Sequence, residues 1–148
     1  MRIVAFLLLI SSFGILSNNT TTEAFSSNDT IPSFLKGRFE DDYGIKYSID
    51  DTLFLQLPKA KYHIIESNAK EQYLIAKNGW KDSAGNDIYT RIDYMKFEKM
   101  EPYTWGYCLT AYSAKTSDEA KNTPAADRQN PRKGCNGFPF SRMKKLVK

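Results

Sequence analysis

Residues 45–57 read IKYSIDDTLFLQL, and the alternation in this stretch decides the fold class. Ile45, Tyr47 and Ile49 fall on one face of an extended segment, with Lys46 and Ser48 on the other. Leu53, Leu55 and Leu57 share a face in the next segment. Only Asp50 and Asp51 separate the two, so the connection is a tight hairpin between antiparallel neighbours.

The pattern repeats on both sides. Tyr62 with Ile64 and Tyr73 with Ile75 mark two further strands, and 88–97 and 103–112 mark two longer ones. Gly44 reads as a bulge within one long strand, 38–50. The breaks near Pro58, Ser67 to Lys70 and Glu98 to Pro102 are all too short for the crossover a parallel sheet requires. Thr116 and Glu119 form a capping box that opens a short helix near 117–122, which Pro124 ends. The expected fold is mainly β. It is an antiparallel meander of six to seven strands curled into a small barrel, closed or partly closed, with one short helix and a C-terminal tail.

The chain opens with Met1, Arg2 and an apolar run over 3–16. A basic start and a hydrophobic stretch too short for a comfortable span read as a secretory signal peptide, 1–24, cleaved after Ser17 or Ala24. Residues 25–33 then read as a flexible linker, and 34–148 as one domain whose last part, 123–148, is a clasp. Export to the periplasm or cell exterior follows, with no transmembrane span after cleavage. In that compartment Cys108 and Cys135 pair as a disulfide.

Charge is unevenly placed. Residues 25–127 hold sixteen acids and thirteen bases, whereas 128–148 hold seven bases and no acid. Arg142, Lys144, Lys145 and Lys148 in this tail are candidates for contact with an anionic envelope surface. Export argues against nucleic acid as the partner.

The segments GRFEDDYGIKYSI, KYHIIESNAKEQYLIAKN, RIDYM, PYTWGYCLTAY and GCNGFPFSRMKK together resemble a family of small exported bacterial proteins with no assigned activity. The resemblance spans most of 34–145 and implies no catalytic residues. The strand order also resembles calycin or lipocalin barrels in architecture. Those families open with G-x-W, where this chain has Gly37-Arg38-Phe39.

Candidate ligand contacts follow from side-chain chemistry. His63 is the single histidine and lies on the face opposite Tyr62 and Ile64. Tyr89, Arg91 and Asp93 share one face of their strand, an ion-paired patch suited to a polar head group if it lines a lumen. Tyr103, Trp105 and Tyr107 form an aromatic face with an apolar body and polar tips. Cys108 lies on the opposite face, where Gly106 leaves room for the returning tail. Catalytic motifs, metal-ligand spacings and cofactor signatures are missing from the sequence. These features fit an exported, non-catalytic barrel that binds a small apolar or amphipathic ligand. The first alternative is an envelope interaction protein that docks through its basic tail. The second is a hydrolase or isomerase built on His63.

Overall fold

The computed structural model describes residues 30–147. The signal segment, both cleavage sites and Lys148 lie outside the described residues. Thr30 begins the described chain, and Ile31, inside the span assigned to the linker, is buried in the core.

Eight antiparallel strands close into a barrel in sequence order: β1 (Gly37–Asp41), β2 (Lys46–Ile49), β3 (Leu53–Gln56), β4 (Ala60–Asn68), β5 (Tyr73–Lys81), β6 (Asp87–Lys96), β7 (Tyr103–Ala114) and β8 (Ser141–Lys145). The count exceeds the expected six to seven for two reasons. The segment 38–50 is two strands rather than one bulged strand. The Asp41 carboxylate accepts the Tyr43 and Ile45 amides at 2.9 Å each, and Gly44 takes φ +80°, so the chain reverses there. The second reason is that the tail itself is a strand. It enters the ladder between β7 and β1.

Register explains which residues face inward. Tyr47 pairs with Gln56 and Ile49 with Phe54, and directly opposed residues share a face. Phe54 is therefore the core residue of β3. Leu53 and Leu55, expected to form that face with Leu57, are half-buried, and Leu57 is exposed.

The lumen is packed with side chains. Phe39, Tyr47, Phe54, Tyr94 and Trp105 are each almost fully buried, and Tyr62, Leu74, Ile92, Tyr107 and Met143 join them in one cluster. Edge-to-face contacts run through this cluster, with Phe39–Trp105 and Phe54–Tyr107 ring centroids both 5.3 Å apart. β8 contributes Met143 to this interior.

The outer wall of β5, β6 and β7 carries a second layer. Helix α1 (Ser117–Asn122) is capped by the Thr116 side chain, which accepts the Glu119 amide at 3.0 Å. Its Ala120 packs on Tyr73, Ile75 and Ala114. Beyond it, Ala126 and Phe140 pack on Cys108, against Met95 and Phe97. The Cys108–Cys135 disulfide lies in this outer cluster, with Cα atoms 5.5 Å apart. Gly106 is needed there, because an added Cβ would lie 2.7 Å from the Phe97 ring and 3.0 Å from the Ser141 carbonyl oxygen. Among the described residues no helix is long and apolar enough to cross a membrane.

The disulfide spans 27 positions, and opening that loop in the unfolded chain costs stability on the order of 3 kcal/mol. Cys135→Ser, or reductant on the wild type, lowers the melting temperature by more than about 10 °C in a calorimetric scan.

Candidate functional site

The residues read as ligand contacts are distributed over three environments. Trp105 and Tyr107 point into the filled lumen. Tyr103 is half-buried, its ring beneath the Arg142 guanidinium at 4.8 Å. His63 is exposed on the outside of β4, beside a shallow depression of about 440 Å³ that also involves Lys77, Trp80 and Asp87. Asp87 there is already engaged by Lys77 and Lys81 at 2.7 and 2.6 Å.

Arg91 and Asp93 lie on the outer face of β6, yet neither is solvated: they are 4% and 0% exposed. Arg91 donates Nε–H and Nη2–H to the two oxygens of Asp93, both at 3.1 Å, and Nη1–H to the Lys121 carbonyl in the last turn of α1 at 2.6 Å. Its guanidinium also lies 4.2 Å from the centre of the Tyr73 ring. Asp93 further accepts the Thr110 hydroxyl at 2.7 Å, the Ala126 amide at 3.3 Å and Arg128 Nη2–H at 2.9 Å. Arg128 reaches on to the carbonyls of Glu71, Gln72 and Tyr94. Both Asp93 oxygens accept at least two hydrogen bonds, and each Arg91 guanidinium nitrogen has an acceptor, which is the condition for burying such charges. Tyr89 is half-buried beside this cluster, against Tyr73 and Ile75. The patch thus neither lines a lumen nor forms a solvated face. It fastens α1 and the clasp to the wall.

Two of the four candidate tail bases are committed to acids in or just after β1. Lys144 pairs with Glu40 at 2.9 Å, and the two are register partners. Arg142 pairs with Asp42 at 2.9 Å. Lys145 is exposed near Gly37. Arg132 and Lys133, not singled out by sequence, are exposed and have no ion pair among the described residues.

One groove gathers the remaining features. Tyr43, Tyr112 and Phe138 are 70%, 62% and 72% exposed, and all three line a cleft of about 450 Å³ with Leu109, Asn136, Pro139 and the disulfide. A second cleft of about 480 Å³ shares Tyr43 and Pro139 with the first and adds Met100, Arg132 and Arg142. β7 sets this geometry. Its pairing with β8 ends at Tyr107–Ser141, so 108–114 continue past the end of the neighbouring strand and leave one side open.

Tyr107 forms the groove floor, and behind it lies a buried relay. Tyr47 donates its hydroxyl to Asp41 Oδ2 at 2.7 Å, and the Tyr47 and Tyr107 hydroxyls are 2.8 Å apart. Tyr47 has one proton and Asp41 takes it, so Tyr107 is the donor to Tyr47. Burial pushes the Tyr107 phenol up to about 12, and burial, with Tyr107 and Asp41 adjacent, raises Tyr47 well above its ordinary range. Both phenols stay protonated, so the relay holds structure and supplies no base. Comparison of the chain with protein-family models, curated proteins and solved structures finds no match.

Among the described residues no three His, Cys, Asp or Glu side chains converge as a metal site would require. Sequence reading missed Tyr43, Tyr112 and Phe138. The signal for Phe138 was present in Asn136-Gly137, the preferred pair for a two-residue hairpin turn. That turn, with φ 51° and 88°, leaves Phe138 at its exposed end, while Phe140 alone of the two phenylalanines packs on the wall.

The relay has a pH signature. Folding raises the Tyr107 pKa from 10.0 to about 12, so its stabilising contribution is whole below pH 10 and is lost as pH rises through about 12. Tyrosinate absorbance from Tyr107, taken as the difference between wild type and Tyr107→Phe, is expected to rise only as pH approaches about 12. A rise centred near pH 10 with near-ultraviolet dichroism intact would refute this.

Proposed function

We propose that this chain is an exported, non-catalytic binding barrel whose contact surface is the groove beside the clasp. Its partner is amphipathic: an apolar part lies on Tyr43, Tyr112 and Phe138, and negative charge meets Arg132 and Lys133. One observation carries the reading. The lumen is filled by its own aromatic side chains, while three large rings are left in water together along one groove. Leaving such rings exposed forgoes the stabilisation of burial, about 1.5–3 kcal/mol for a large apolar side chain. A contiguous patch of this kind marks a contact surface more often than a scattered residue does.

Two further features support the reading. The disulfide and the leader-like start fit an oxidising compartment outside the cytoplasm. The groove has hydrogen-bonding groups, yet no nucleophile lies beside a base within it. The basic tail serves this surface only in part, since Arg142 and Lys144 are neutralised by Asp42 and Glu40.

The test is a titration with monomeric dodecyl phosphate. Wild type is expected to bind it, and Tyr112→Ser combined with Phe138→Ser to weaken binding by roughly tenfold or more. The melting temperature should stay unchanged, because both residues are exposed. Equal affinity in the double variant would remove the groove from the function.

A further inference from the structure

The groove differs from a pocket that engulfs a small ligand. Such pockets surround most of the ligand's surface. Here Tyr43, Tyr112 and Phe138 remain 70%, 62% and 72% exposed, so the rings stand outward rather than around a space. The surface that they present is convex at one point. Asn136 and Gly137 form the tip of a two-residue hairpin closed by Cys135–Phe138 backbone bonds of 2.9 and 2.8 Å. The Cys135 disulfide anchors the base of this hairpin to β7. Phe138 therefore projects on a rigid support, and its insertion into another phase needs little ordering of the chain.

Two bases with no ion pair stand beside the tip. Arg132 and Lys133 are exposed and unpaired among the described residues, and Arg132 lines the second cleft, which shares Tyr43 and Pro139 with the groove. Asp42, the one carboxylate lining that second cleft, is held by Arg142. Glu98 and Glu101 flank Met100 on the turn between β6 and β7, which disfavours that side as the leading edge on an anionic surface. Exposed Phe and Tyr rings next to free Arg and Lys match the layered polarity of a lipid interface. Rings settle at the level of the headgroups, and long basic side chains meet the phosphates.

We infer that this face docks on an anionic lipid bilayer, with Phe138 entering the interfacial layer and Arg132 and Lys133 on the headgroups. The inference rests on the amphipathic groove proposed above and names its partner. Attachment is peripheral and reversible, since one inserted ring and two bases give modest affinity.

The experiment uses the protein isolated from its host, with the same N-terminus in every variant. Vesicles of phosphatidylcholine and phosphatidylglycerol in equal parts are compared with phosphatidylcholine alone in a flotation assay. Wild type is expected to float with the anionic vesicles and to be released by high salt. Phe138→Ser lowers the partition coefficient roughly tenfold, and Arg132→Ser or Lys133→Ser each roughly fivefold. In Phe138→Trp, the fluorescence added at this position is quenched by lipids brominated near the headgroup end of the chains.

Binding to anionic vesicles without quenching at position 138 would overturn the inference, because contact would then lie elsewhere. So would failure to float with any vesicle. If dodecyl phosphate still bound in a Phe138-dependent way, bilayer docking alone would fall. Loss of both would remove the groove reading as well. Capture of soluble polygalacturonate in place of vesicles would assign the face to an acidic glycan and likewise overturn the inference.

Discussion

The Asp93 carboxylate is the fixed point on which the outer half of this molecule depends. It is completely buried on the outside of a barrel, where a lone charge would be costly. The compensation comes from two guanidinium groups, a hydroxyl and a backbone amide. Two of those donors, Arg91 and Thr110, belong to the wall. The other two, Ala126 and Arg128, belong to the clasp. Burying one carboxylate therefore requires the clasp to be in place, and the clasp in turn sets the position from which β8 enters the barrel.

Closure then follows from complementarity between the two ends of the sheet. β1 carries Glu40 and is followed by Asp42; β8 carries Arg142 and Lys144 and pairs with β1 in register. Exposed pairs of this kind contribute little each, but they favour this register over a slipped one. Met143 fills the lumen beneath them. A closed barrel has no continuous free edge, which removes the usual liability of a small β protein. The exception is the part of β7 that continues past β8, and the exposed aromatic groove is found there.

Much of this was legible in sequence. Period-two alternation and short breaks identified an antiparallel meander, since neither a helix nor a crossover fits them. The Thr116–Glu119 spacing located α1, and two cysteines supplied the disulfide. Other features depend on long-range placement. Whether Phe54 or the leucines of β3 face inward is decided by register with β2, and both alternations were present in the stretch. The tail looked like a basic appendage because its acidic partners lie at the other end of the chain. Arg91 and Asp93 looked like a surface patch or a lumen patch because nothing local reveals that α1 and the clasp cover them. Tyr43 and Phe138 are conspicuous only after Phe140 and the lumen residues are seen to be buried without them.

The central claim is that the tail is an integral strand whose place is set through Asp93. Residue-resolved amide hydrogen exchange of 141–145, in wild type and in Asp93→Asn, tests it most directly. In the wild type, β8 amides bonded to β7 or β1 should exchange only by global unfolding, with the same opening free energy as β6 and β7. In Asp93→Asn they should lose protection ahead of those strands. Rapid exchange of β8 in the wild type, or protection untouched by the substitution, would contradict the account.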